Sequence, residues 1–368
     1  MEYKGVFVDD DGDDSRIADR LSFSVPNDST NFEFQLLDKP MEEKAEEIFQ
    51  TEPDIVALDY RLDEKSKYRY KAGPLAQHLR DRCMQSISSD FPIILVSYEQ
   101  NIKEYYEPDL TAHDLFDLKY GKQEISDDSH RVHKELLSII KTYKIISKSW
   151  NETNRLELIL KANSNQLLLL GQDMDTMNNK NAPHQLASTV YRWLIKRQGL
   201  LLDENNLYAR IGVDLSSRDI DKLKDILNKA DVSYTGIFSD GWPRWWDDKL
   251  RVWGEGLCGS PLGDLTADKR VNRFNEALGL HLEAAESSWR EGHKDALFHI
   301  ACASCGRPTE IEYSVPAYDP VTYKFVQKKA ICWDCVQKGK YEDKSLSIDE
   351  TGSFIADKLI SGEIRKET

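Results

Sequence analysis

No uninterrupted apolar run in this chain approaches the roughly 20 residues needed to cross a bilayer. The first residues, Met1-Glu2-Tyr3-Lys4, lack the basic segment and apolar stretch of a secretory leader. Both absences point to a cytoplasmic protein. An excess of basic charge is also missing: Lys and Arg number 49 against 64 Asp and Glu, a formal net charge of -15, which opposes a broad electrostatic footprint on nucleic acid. There is no Gly-Lys-Ser or Gly-Lys-Thr phosphate loop, no Gly-x-Ser-x-Gly elbow and no His-Glu-x-x-His pair, so a conventional enzyme site is not expected. Cysteine is scarce too. Four of the six are grouped as two C-x-x-C pairs, the pattern of metal ligands in a reducing compartment rather than of a disulfide framework. Cys83 and Cys258 stand alone and read as small packing residues.

What is present is a series of short apolar runs that end on polar groups. Pro53 to Leu58 runs into Asp59, Gly5 to Val8 into Asp9 and Asp10, Phe91 to Val96 into Ser97, and Asp114 to Leu118 into Lys119. Runs of this length, apolar on consecutive positions, are the signature of strands buried on both faces of a parallel sheet. In a doubly wound sheet the carboxyl ends of such strands share one edge, which is where ligands bind. Three carboxylates converging there repel one another unless a cation lies among them, and oxygen ligands favour a hard ion such as Mg²⁺. An acid to attack, a hydroxyl, an amine and a divalent cation are the parts of a phosphoryl-transfer site.

In their order and spacing these residues resemble the receiver domain of two-component response regulators over residues 1 to about 146. The resemblance implies a five-stranded, flavodoxin-like α/β domain. It implies Asp59 as phosphoacceptor, Mg²⁺ on Asp9, Asp10 and Asp59, Ser97 as the hydroxyl and Lys119 as the amine that sense the phosphoryl group, and Phe116 as the aromatic that reorients. The partner it implies is a histidine kinase or another phosphodonor. Three features depart from the pattern: Tyr98 follows Ser97 where a small residue is usual, Tyr120 follows Lys119 where proline is usual, and the loop Asp63 to Lys71 is long and charged.

Beyond the closing helix Val132 to Ile146, residues 147–295 read as a mostly helical α+β region of no recognised family. Helices are expected over Arg155 to Leu170, Ala187 to Arg197, Ser217 to Ala230 and Ala267 to about Glu291, and short strands at Leu200 to Leu202 and Tyr208 to Val213. Such an order admits a winged helix, but the acidity favours an ordinary mixed domain. Its densest feature holds Trp242, Arg244, Trp245, Trp246 and Trp253. Indoles interleaved with basic side chains suit core packing, partner binding or, less well, base stacking. Gly254-Glu255-Gly256-Leu257-Cys258-Gly259 spells G-x-G-x-x-G, yet Pro261 and Gly263 break the helix a dinucleotide site requires, so it reads as a glycine-rich loop between domains.

Residues 296–340 carry Cys302, Cys305, Cys332 and Cys335, four thiolates for a structural tetrahedral Zn²⁺. Glu310 to Val315 and Thr322 to Lys328 alternate like a hairpin, so the module resembles a zinc ribbon, made locally basic by Lys324, Lys328, Lys329, Lys338 and Lys340. A short helix in the tail, residues 341–368, closes the chain. The expectation is a signalling protein switched at Asp59, with protein-protein output, of a kind that suits bacterial stress or antiviral defence operons. Its rivals are a scaffold whose receiver fold no longer takes phosphate, and a nucleic-acid binder acting through the zinc ribbon and tryptophans.

Overall fold

The computed structural model describes residues 1–85, 89–109, 111–320 and 325–366. Thr322 and Lys324 of the expected basic hairpin lie outside the described residues. The chain divides into two compact units, residues 1–192 with 235–242, and residues 193–234 with 243–368. This grouping differs from the breaks expected near residues 146 and 295. The reason is packing: the helix Pro183–Val190 lies on the helix Ser129–Lys148, and the helix Glu204–Ile211 lies on the strand Phe298–Ala301.

The first unit is built on β1 (Glu2–Asp9), β2 (Phe23–Val25), β3 (Asp28–Leu36), β4 (Ile55–Asp59), β5 (Ile93–Ser97) and β6 (Leu118–Gly121), in the order β2-β3-β1-β4-β5-β6. Strands β3, β1, β4, β5 and β6 are parallel, and β2 adds an antiparallel edge through a hairpin. The five parallel strands follow the doubly wound flavodoxin-like order, in which the sequence reverses direction beside β1. Residues of β4 and β5 are all buried, which accounts for their continuous apolar runs. On one face Val6, Val8, Val56, Leu58, Ile93 and Leu95 pack against the helices Met41–Gln50 and Ala72–Cys83 through Ala45, Ile48, Leu75 and Leu79.

A buried charge cluster fixes the entry to β6. The Arg80 guanidinium donates to the carbonyls of Phe91 and Leu115 and to Asp117 Oδ2 at 2.6 Å, while Tyr143 donates to Asp117 Oδ1 at 2.7 Å. Asp90 accepts from both the backbone N–H and Nδ1 of His184 at 2.8 Å, which ties the helix Pro183–Val190 to the same cluster. Residues 235–242 return to this unit and lie on the helix Ser129–Lys148. Phe238 N–H donates to Thr142 Oγ1, Ile237 N–H to the Ile159 carbonyl, and the rings of Phe238 and Trp242 pack on Tyr191.

In the second unit four helices, Glu204–Ile211, Ile220–Lys229, Asp247–Cys258 and Ala267–Leu278, surround Leu207, Leu223, Leu227, Leu250, Val271 and Phe274. Three sequence expectations give way here. Tyr208 to Val213 falls mostly in a helix. Most of the G-x-G-x-x-G stretch is the second half of a helix rather than a loop: Gly254 lets Leu262 approach, and only Gly259, at φ +65°, leaves the helix as its cap. The last helix stops at Leu278 because Gly279 is left-handed. The tryptophans join the core. Trp246 is 1% exposed, Trp245 packs in the helical core, and Trp253 stacks on Phe274. Short pairs β7 (Leu201–Leu202) with β8 (Trp245–Trp246), β9 (Phe298–Ala301) with β10 (Pro308–Glu310), and β11 (Ser314–Pro316) with β12 (Ala330–Cys332) complete the unit.

The approach of residues 235–242 to the long helix leaves no room at Gly241, where a Cβ would lie 2.9 Å from Ser138 Cβ and 3.1 Å from Glu135 Cα. Gly241→Val is expected to destabilise the chain by about 1–3 kcal/mol in urea denaturation. An unchanged midpoint would mean that this segment is not packed in solution as it is here.

Candidate functional site

The parallel strands deliver their polar ends to one edge. Val8 pairs with Leu58, Asp59 with Val96 and Ser97 with Gly121, so Asp9, Asp59, Ser97 and the residue after Gly121 lie side by side. That residue is Lys122. Its ammonium lies 2.8 Å from Asp9 Oδ2, 2.6 Å from Asp14 Oδ2 and 3.2 Å from Asp59 Oδ1. Lys122 is held there as the first residue of the helix Lys122–Asp127, whose open N–H groups at Gln123 and Glu124 donate to Glu99 Oε1. Gly121 makes space for that carboxylate, since a Cβ would fall 2.0 Å from Glu99 Oε1.

The amine expected at Lys119 is therefore supplied three residues later. Lys119 points outward from β6 and pairs with Glu107 at 2.7 Å. The strand begins at Leu118, where the apolar run Leu115 to Leu118 had suggested its end. Phe116 precedes the strand and is buried edge-on against Tyr106 in the core, away from the acid cluster's edge. Lys122 was missed for that reason, although Gly121 with Glu124 three residues on was a readable helix start.

Asp59 is 4% exposed. Its Oδ2 accepts from Arg61 N–H at 2.9 Å, and its Oδ1 has the ion-pair approach of Lys122. The buried Ser97 hydroxyl lies beside Asp59 and helps to hold that carboxylate in its charged form. Burial pushes the Asp59 carboxyl above its ordinary range, opposed by Lys122. Burial, with repulsion from Asp59, lifts Asp9 to about 7. Burial disfavours the Lys122 ammonium, but Asp59 and Asp9 outweigh that and hold it firmly protonated. Asp10 turns to the long loop and accepts from the N–H groups of Lys65 and Ser66. Tyr98, 51% exposed, covers the site with its ring 4.6 Å from the Lys122 ammonium and donates to Asp14.

The Lys122 ammonium occupies the place among Asp9, Asp14 and Asp59 that a hard cation would take, and among the described residues these acids are not gathered into a group ready for a metal. The four cysteines form a second site. Cys302, Cys305, Cys332 and Cys335 have their sulfurs within 4.8 Å of one another, the only such metal-ready group among the described residues. A tetrahedral ion at about 2.3 Å from each sulfur fits that spacing. The first pair lies on the β9–β10 turn, where Gly306 is left-handed and its N–H returns to the Cys302 carbonyl. The second pair spans the end of a strand and the start of a helix: Cys332 ends β12, and Cys335 lies in the first turn of the helix Trp333–Gln337. The arms of the expected hairpin shift, to Ser314–Pro316 against Ala330–Cys332.

No protein-family model and no curated protein matches the chain. Among solved structures it is similar to the signal receiver domain of NarL from Mycobacterium tuberculosis (16% identity, 36% of this chain and 98% of that one, TM-score 0.26). It is also similar to the response regulator domain of Thermotoga maritima CheB (13%, 38% and 98%, 0.28) and to the Salmonella typhimurium RcsB response regulator (12%, 53% and 91%, 0.25). The fold assignment rests on the strand order itself, which is that of a receiver. No helix among the described residues is long and apolar enough to cross a membrane.

Lys122→Ala leaves three carboxylates facing one another and is expected to cost about 3–5 kcal/mol in chemical denaturation, whereas Lys119→Ala stays within about 0.5 kcal/mol. Equal effects would remove Lys122 from its central place. Because Asp9 and Asp59 titrate above the ordinary carboxylate range when folded, these two groups bind more protons in the folded chain than in the unfolded one from that range up to about pH 7, whereas carboxylates held low, such as Asp28 and Asp90, act with the opposite sign only below it. Stability should therefore fall as pH rises through that window. Asp9→Asn should flatten the fall when urea midpoints are measured from acid to neutral pH, and parallel profiles would refute the Asp9 assignment.

Proposed function

We propose that the first unit is a phosphoryl-accepting switch. The observation that carries this reading is the convergence of Asp59, Ser97 and Lys122 at the edge of a receiver-like sheet, with Asp59 and Ser97 both buried and the Lys122 ammonium 3.2 Å from Asp59 Oδ1. An Asp59 oxygen attacks the phosphorus of a phosphohistidine or acyl phosphate, and the bond to the donor breaks with its electron pair leaving on the donor. An acyl phosphate on Asp59 results. Asp9, Asp59 and, once released from its loop N–H groups, Asp10 would hold Mg²⁺, which when bound neutralises charge on the transferring oxygens. Ser97 then donates to a phosphoryl oxygen and Lys122 pairs with it.

The output follows from the ion pairs that Lys122 leaves. Drawn toward the new phosphoryl charge, its ammonium withdraws from Asp14 and from beneath Tyr98, so the exposed surface around Tyr98 rearranges. That surface, with the second unit downstream, supports a protein partner as the output, in a cytoplasmic setting that keeps the four cysteines reduced. Those cysteines hold a structural Zn²⁺. Burial of the tryptophans speaks against base stacking as the output.

One observation favours a second reading, a docking scaffold that takes no phosphate. Asp10 is already engaged by Lys65 and Ser66, and Tyr98 covers the amine. Incubation with Mg²⁺ and acetyl phosphate, followed by intact mass, decides between them. A phosphoryl adduct absent from Asp59→Asn is expected. No adduct, together with no Mg²⁺ binding, leaves the scaffold.

A further inference from the structure

The second unit contains a cavity that the switch does not use. It has a volume of ≈ 520 Å³, within the range of small-ligand sites, and opens beside the Cys302–Cys305 turn. Lys196, Lys328, Lys329 and Lys344 line it, and Asp203 is the one acidic side chain on its wall. Asp203 is already occupied: Oδ1 accepts from Asn206 as the cap of the helix Glu204–Ile211, and Oδ2 accepts from Gln198 Nε2. Among the described residues no carboxylate lies within ion-pair distance of Lys328, Lys329 or Lys344. In a chain of net charge -15, this concentration of amines is a local reversal of sign. A zinc tetrathiolate would carry two net negative charges, which with Asp203 offset three of the four lysines.

The lysines are carried by backbone that is fixed. Gln327 N–H donates to the Gln198 carbonyl at 2.7 Å, the Lys329 carbonyl accepts from Ala317 N–H at 2.9 Å, and Ala330 pairs with Pro316. Gly199 permits the first of these, because at φ +146° a Cβ there would lie 1.9 Å from the Phe325 carbonyl oxygen. An uncharged donor completes the wall: the Asn205 amide lines the cavity and lies directly over Gly306, while the Ser304 side chain is engaged with Cys335. Among the described residues no aromatic side chain lines it to stack a base.

We infer that this cavity binds a compact polyphosphate group, as in a nucleoside diphosphate or triphosphate, through Lys328, Lys329 and Lys344. Phosphate oxygens accept from the amines and Asn205, and the ligand is selected by its phosphates rather than its base. The inference depends on neither Asp59 nor Lys122.

The test is calorimetric titration of the full, zinc-loaded chain with tripolyphosphate, ADP and a 5′-phosphorylated single-stranded oligonucleotide, at low and moderate salt. Tripolyphosphate and ADP should bind with affinities within a few-fold of each other and weaken with salt. Lys328→Glu combined with Lys344→Glu should lower affinity by at least about ten-fold for each lysine, with thermal melt and zinc content unchanged. Lys340→Glu, on the surface outside the cavity, should have no effect. If the double reversal does not fold, Lys328→Gln with Lys344→Gln serves in its place and should show the same loss. No binding of either small ligand, binding insensitive to these substitutions, or binding of the oligonucleotide alone would overturn the inference.

Discussion

One ammonium group holds the working edge of the first unit together. Lys122 reaches three carboxylates, two of them on different strands, in a place where removing water makes both attraction and repulsion stronger. Asp9 and Asp59 could not remain this close as anions without it, and their raised affinity for protons measures how incompletely one positive charge satisfies them. The site is thus poised between states that differ in where positive charge resides. A change of charge at any of the three carboxylates changes how the amine is shared among them. The fold supports this by stacking the strand ends in register, and Glu99 supports it by seating the helix that begins at Lys122.

Much of this edge was legible in the sequence because buried parallel strands leave an unambiguous mark. The runs ending at Asp9, Asp59 and Ser97 are apolar through their last three residues or more, and a terminal polar group then has one place to go. The fourth strand was misjudged because β6 is short and lies at the edge of the sheet. Its residues alternate, with Leu118 and Tyr120 inward and Lys119 outward, while the apolar run before it belongs to a turn that packs in the core. A shift of three residues exchanged a surface lysine for the buried one. The Asp114 to Leu118 run also concealed Asp117, whose carboxylate serves Arg80 and Tyr143 rather than a ligand.

The second unit was harder to read because its sequence uses familiar residues for unfamiliar ends. Glycines that suggested a loop allow two helical segments to touch, as Gly254 does with Leu262. Tryptophans that left core packing and partner binding both open join a core of leucines, Tyr208 and Phe274. Arg270, buried without a carboxylate, donates to the carbonyls of Leu265, Arg210 and Phe298, where helix and strand ends would otherwise go unpaired. No periodicity reveals such an arginine. The paired cysteines were plain, since two C-x-x-C turns admit few other uses, but the helix that carries Cys335 was not.

Residues 235–242 have a consequence for how the molecule can be taken apart. The polypeptide leaves the first unit after residue 192, returns at 235 and leaves again after 242, so three covalent crossings join the two bodies. Neither is a contiguous stretch of sequence. A fragment ending at residue 192 would lack Phe238 and Trp242 and uncover the Tyr191 surface on which they rest. A protease nicking one crossing would leave the halves tethered by the other two. Inheritance and engineering of this protein by simple end-to-end module exchange are therefore obstructed by its own threading.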